Sequence, residues 1–165
     1  MPAISSFGFS GFLLKPASKT SANLKLAADW IAADPDHRDT TPPEFWFDYR
    51  LGVESYLLED KFGPVFFYKM NRTKAREVEI HIQFPPASDP DTRARVMRGL
   101  TLGLEWIERV LAQREQTTLF FRTKNPALHR FAIKRLGFAA SQQERHRLEK
   151  QIVERAAGKS AGRES

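Results

Sequence analysis

Glu77-Val78-Glu79-Ile80-His81-Ile82-Gln83-Phe84 alternates polar and apolar residues without a slip. Successive side chains of an extended strand point to opposite faces, so Glu77, Glu79, His81 and Gln83 share one face and Val78, Ile80, Ile82 and Phe84 the other. Pro85 and Pro86 end the strand, Asp89 supplies an N-cap, and Pro90 suits a first helical position. Val96, Leu100, Leu104, Ile107 and Leu111 then recur at helical spacing, which predicts a long amphipathic helix. Residues 117–123, Thr-Thr-Leu-Phe-Phe-Arg-Thr, are β-branched and aromatic and read as a second strand. Asn125-Pro126 opens another helix, whose stripe of Leu128, Phe131, Ala132 and Leu136 is closed by Gly137. The sum is a β-α-β unit with a trailing helix.

Upstream of this unit lies a hairpin pattern, with strands over 54–59 and 64–70 and a turn through Asp60, Lys61, Phe62 and Gly63. Three consecutive strands, the last feeding a crossover helix to a fourth, predict an α/β (α+β) fold. Its mixed sheet is antiparallel at the N-terminal end and parallel at the crossover, with helices on both faces. Residues 21–33 read as a helix through Leu24, Ala27, Ala28 and Ile31, stopped by Asp34-Pro35. The aromatic run Phe45, Trp46, Phe47 and Tyr49 serves as core or as the wall of a substrate pocket. Residues 1–20 form an aromatic arm or a first strand. Beyond Phe138, 139–147 is a further strand candidate, 148–155 is open between strand and helix, and 156–165 reads as a disordered tail after a single domain over 1–155.

Composition narrows the chemistry. At 165 residues and 41% hydrophobic the chain can bury a core without disulfides, and it contains no cysteine, which removes thiol catalysis and cysteine-rich zinc sites. The four histidines lack paired-ligand spacing, so no metal site is expected. Met1 to Phe12 lacks the marks of a signal peptide and no apolar run approaches a membrane span, so a cytoplasmic protein without membrane contact is expected. The net charge of +6 invites nucleic acid as a partner. Its arginines and lysines are dispersed among acids, which suits a solvated surface better.

The order of elements, and above all Asn125-Pro126-Ala127-Leu128-His129-Arg130-Phe131-Ala132-Ile133-Lys134-Arg135-Leu136-Gly137-Phe138, resembles the GNAT family of acyl-CoA-dependent N-acyltransferases. Asn125, Phe131, Leu136, Gly137 and Phe138 match in kind the segment that closes that fold. The resemblance implies that the strands over 77–84 and 117–123 run parallel and splay apart, and that the pantetheine arm of coenzyme A enters the gap. It further implies acyl transfer, with acetyl-CoA as donor and an amine as acceptor. On that reading Ile82, Gln83, Phe84, Arg93, Arg95, Arg98, Asn125 and Phe131 contact the coenzyme.

Amine acylation needs a general base, because only the unprotonated amine attacks a thioester. Imidazole titrates near neutrality, which suits His81, and burial would raise Glu79 toward the same range. Either residue fits the role, and a plain solvated sheet face is the other account of the same pattern. Two features depart from the family. No glycine occurs from Pro64 to Arg98, and Asp89 and Asp91 place negative charge where the family's glycine loop and helix start cradle a pyrophosphate. Ile133 stands where many members carry a tyrosine acid. A GNAT-fold protein that binds a partner without catalysis, or a basic protein associated with nucleic acid, are the alternatives.

Overall fold

The computed structural model describes residues 6–152. Its centre is an eight-stranded mixed sheet in the order β1-β2-β3-β4-β5-β6-β8-β7. The strands are β1 (Phe7–Phe9), β2 (Phe12–Pro16), β3 (Val53–Asp60), β4 (Gly63–Lys74), β5 (Glu77–Gln83), β6 (Thr118–Arg122), β7 (Ala139–Ala140) and β8 (Arg147–Gln151). Neighbours from β1 to β5 pair antiparallel, and β5 pairs β6 in parallel across the helix α2 (Pro90–Gln113). The expected architecture is therefore present. The N-terminal arm adds a hairpin to one edge of the sheet, and the segment left open after residue 147 forms β8, paired with both β6 and β7. The tail over 156–165 lies outside the described residues.

The alternation of β5 divides the protein into two cores. Val78 and Ile80 join Leu58, Phe66, Met70, Leu100, Leu104 and Ile107 beneath α2, with Ala132 of α3 (Pro126–Arg135) in the same cluster. Leu57 and Phe67, on the opposite face, pack against Ala27, Trp30 and Ile31 of α1 (Ser21–Ala32) and against Trp46 and Phe47 of the 3-10 turn Pro43–Phe47. Trp46 and Phe47 of the aromatic run thus supply core, Phe45 turns toward β5, and Tyr49 is exposed.

Local chemistry sets the helix ends. Asp89 accepts the Thr92 N–H at 2.8 Å, so α2 starts on its own carboxylate. Asn125 does the same for Ala127 and Leu128 in α3. Gly137 at φ +78 takes the left-handed position after α3, as the stripe predicts. Gly99 lets α2 approach the sheet: a Cβ there would sit 2.8 Å from Leu58 Cδ2. No helix among the described residues is long and apolar enough to cross a membrane.

Candidate active site

β5 and β6 are hydrogen-bonded neighbours only from Glu77↔Thr118 to Glu79↔Phe120. Beyond that point β5 stays with β4, through Ile80↔Met70 to Gln83↔Phe67, while β6 stays with β8 through Arg122↔Arg147. The two parallel strands therefore splay. Residues of β5 alternate in directing their amides to β4 or away from it, so between Ile80 and Gln83 alternate N–H and C=O groups face the gap without a strand partner. A cavity of about 580 Å³ fills this gap, within the size range of small-molecule sites. Ile80, His81 and Ile82 of β5, Phe121 and Arg122 of β6, and Pro85 and Pro86 of the following loop all line it.

The polar face of β5 is covered by protein. His81 meets the Phe45 ring edge-on at 5.3 Å, and its Nε2 lies 3.0 Å from Glu79 Oε1. The other oxygen of Glu79 accepts from Arg122, whose Nε donates to Glu144 at 2.5 Å. Burial pushes the Glu79 carboxyl up. The His81 hydrogen bond and charge and the Arg122 guanidinium outweigh it, leaving the pKa below the usual carboxylate value. This corrects the expectation of a raised Glu79: opposing charges within contact distance dominate desolvation. Glu79 is an ionised acceptor that fixes the His81 ring. Lys69 sits opposite His81 across the ladder, 3% exposed, with Nζ 3.5 Å from the Phe45 ring centroid and 3.5 Å from Asp48 Oδ2. Burial lowers its ammonium pKa, and the Asp48 carboxylate offsets part of that.

A second imidazole reaches the cavity from the link between α1 and the 3-10 turn. His37 Nδ1 lies 2.7 Å from Gln83 Oε1 and 3.1 Å from Asp34 Oδ2, while Gln83 Nε2 donates to Asp34 at 3.0 Å. The Asp34 hydrogen bond raises the His37 pKa, with Gln83 adding to it against burial. Burial acts upward on the Asp34 carboxyl, but its bonds from His37, Asp36 and Gln83 leave it lowered. With Nδ1 engaged as donor, Nε2 is the acceptor of the neutral ring. Asp34 and His37 both line the cavity and were not among the residues expected from sequence. Their only sequence signal is an Asp and a His three apart in a polar link.

The expected coenzyme contacts separate into groups. Ile82, Phe84 and Asn125 line the cavity, as do the cations Arg122, Lys124 and Arg145. Gln83 is fully buried and committed to Asp34 and His37. Arg95 donates twice to Asp60, at 2.7 Å each, and to the Gly63 and Pro64 carbonyls, so it ties α2 to the β3–β4 turn. Arg98 points to the Ser10 carbonyl at 3.5 Å, Arg93 is exposed on the first turn of α2, and Phe131 packs against the core under α2. These four do not line the gap. The start of α2 holds its own Asp89 carboxylate and Pro90, which has no N–H to offer a phosphate. Ile133 is 40% exposed. Among the described residues no cluster suited to a metal ion occurs.

No protein-family model matches the chain, and no curated protein matches its sequence. Solved structures do match in fold. The GNAT domain of S. lividans PAT superposes with a TM-score of 0.59 at 12% identity, covering 86% of this chain and 90% of that one. Campylobacter jejuni N-acetyltransferase PseH, solved with acetyl coenzyme A, gives 0.58 at 11% identity over 86% of this chain and 99% of its own. Spermidine N-acetyltransferase from Vibrio cholerae, solved with CoA and spermine, gives 0.56 at 14% identity over 87% and 97%.

Proposed function

We propose that this chain, which has the GNAT fold, transfers an acyl group from an acyl thioester of coenzyme A to an amine, acetyl-CoA being the simplest donor. The observation that carries the reading is the gap between β5 and β6, with His81 on its wall and Glu79 hydrogen-bonded to the His81 ring. The unpaired amides over 80–83 suit an extended arm that carries amides of its own, so the pantetheine portion fits. The pyrophosphate finds no backbone cradle at α2, and Lys124 and Arg145 at the cavity are the groups that would meet it. The thioester supplies an activated acyl carbon. A cytoplasmic location accords with such a donor.

In this reading His81 accepts the proton of the incoming ammonium, and Glu79, held ionised by its His81 hydrogen bond and by Arg122, keeps the ring oriented and stabilises the imidazolium. The amine nitrogen then bonds to the acyl carbon, the carbon–sulfur bond breaks, and the thiolate leaves to be protonated. His37, with Asp34 behind it, offers a second titrating group at the same cavity. The test combines calorimetry with kinetics. Acetyl-CoA should bind the wild-type chain, and His81→Ala or Glu79→Gln should cut turnover about a hundredfold or more while leaving coenzyme affinity nearly intact. Absence of binding heat at high micromolar concentration from acetyl-CoA and from longer acyl-CoA thioesters alike sinks the function, and unchanged turnover in both variants sinks the assignment of the base.

A further inference from the structure

The cavity does not stop at the strand gap. Besides the residues of β5 and β6 its wall includes Leu58 of β3, Phe66 and Tyr68 of β4, Leu14 of β2 and Phe9 of β1, with Gly99, Leu100, Gly103 and Leu104 of α2 on the opposite side. From β5 to β2 is three strand spacings, roughly 14 Å at the usual separation. An apolar arm therefore runs sideways from the gap, between α2 and the sheet. Its lining is aliphatic and aromatic, with the buried Tyr68 hydroxyl the polar group among these inner side chains. Phe9 closes the far end, stacked on Trp106 of α2 at 5.8 Å and 7° between ring planes. The missing side chain at Gly103 keeps the helix wall open: the nearest atom to a Cβ there is Phe9 Cζ at 3.6 Å.

An acetyl group has no use for such an arm, whereas a hydrocarbon chain does. We infer that the donor is a medium-chain acyl thioester, its carbonyl at the gap and its alkyl tail lying under α2 as far as Phe9. Two features of the site agree. The tail would bury apolar surface against apolar surface, which adds affinity with each methylene. That added affinity offsets the weak reception for the pyrophosphate at the self-capped, acidic start of α2. The inference rests on the acyl-transfer reading and specifies its substrate class.

The test is titration calorimetry of the full chain with free CoA and with acetyl-, butanoyl-, hexanoyl-, octanoyl- and decanoyl-CoA. Affinity should climb by up to about fourfold per added methylene through the middle of the series and then level off where Phe9 ends the arm. Leu104→Phe narrows the arm without touching the gap. It should move the plateau to shorter chains and cost octanoyl-CoA at least tenfold in affinity, with free CoA and the melting temperature little changed. Equal affinity for acetyl- and octanoyl-CoA overturns the chain-length inference and leaves acyl transfer standing. Failure of every species to bind overturns both. Undiminished octanoyl binding in a folded Leu104→Phe protein overturns the placement of the tail under α2.

Discussion

The two faces of the central sheet solve different problems with the same strands. Under α2 the packing is almost wholly apolar, and the closeness of helix and sheet is set by the missing side chain at Gly99. Beneath α1 and the 3-10 turn the sheet instead buries Ser55, Lys69 and Gln83, each with partners from the covering segments. At the Gly99 contact the apolar face tolerates no added volume, and the polar face tolerates no lost partner. The gap between β5 and β6 joins the two, so a ligand there meets hydrocarbon on one side and imidazoles and carboxylates on the other.

Adding volume should break the apolar face first. Gly99→Val puts a Cβ 2.8 Å from Leu58 Cδ2 and 3.2 Å from the Phe66 ring, both on buried residues, and should cost roughly 2 to 3 kcal/mol in a urea melt. Gly103→Ala, one turn along the same helix, meets Phe9 at an ordinary 3.6 Å and should gain up to about 1 kcal/mol from helix propensity. Opposite signs at two glycines four residues apart would locate the tight contact. A loss of similar size at both would mean that α2 lies close to the sheet along its whole length.

Removing a partner should break the polar face. Gln83→Leu keeps the size of a fully buried side chain but strips the bond to His37 Nδ1 and the donor to Asp34. Leaving those groups short of partners should cost about 1 to 3 kcal/mol, although the substitution makes the interior more apolar. If Gln83→Leu unfolds at the wild-type urea concentration, the cluster around it is solvated rather than buried.

What the sequence made legible follows the same division. Short-range period is enough to place β5, α2 and the α3 stripe, because strand and helix patterns repeat within a few residues. The parallel gap came through resemblance in the closing segment from Asn125 to Phe138. The partners on the polar face were not legible. Gln83 meets His37 across 46 residues of chain and Arg122 meets Glu79 across 43, and nothing local marks an Asp and a His in a polar link as companions of a distant strand. A raised Glu79 follows from burial, which alternation makes readable; the His81 hydrogen bond and, after it, the Arg122 guanidinium that together reverse that effect are contacts of the folded chain. Arg95 and Arg98 look like phosphate contacts until the β3–β4 turn and the N-terminal hairpin are folded against them.

The finest distinction between the faces is one of proton linkage, and His37 carries it. Its folded pKa is raised above the unfolded value near 6.5, chiefly by the Asp34 hydrogen bond. A group so raised binds its proton more tightly in the folded chain, so its contribution to stability is complete below the unfolded pKa and fades as pH rises through the folded one. With its side chain 29% exposed, solvent screens part of the effect, which should be smaller than either substitution above. Urea melts from mildly acidic to mildly alkaline pH should show a wild-type loss across that window. His37→Gln keeps a donor for Asp34 but has no proton to release, and it should flatten that segment of the profile. An unaltered slope in His37→Gln would assign the titration elsewhere and leave the Asp34–Gln83 pair to hold the link by hydrogen bonding alone.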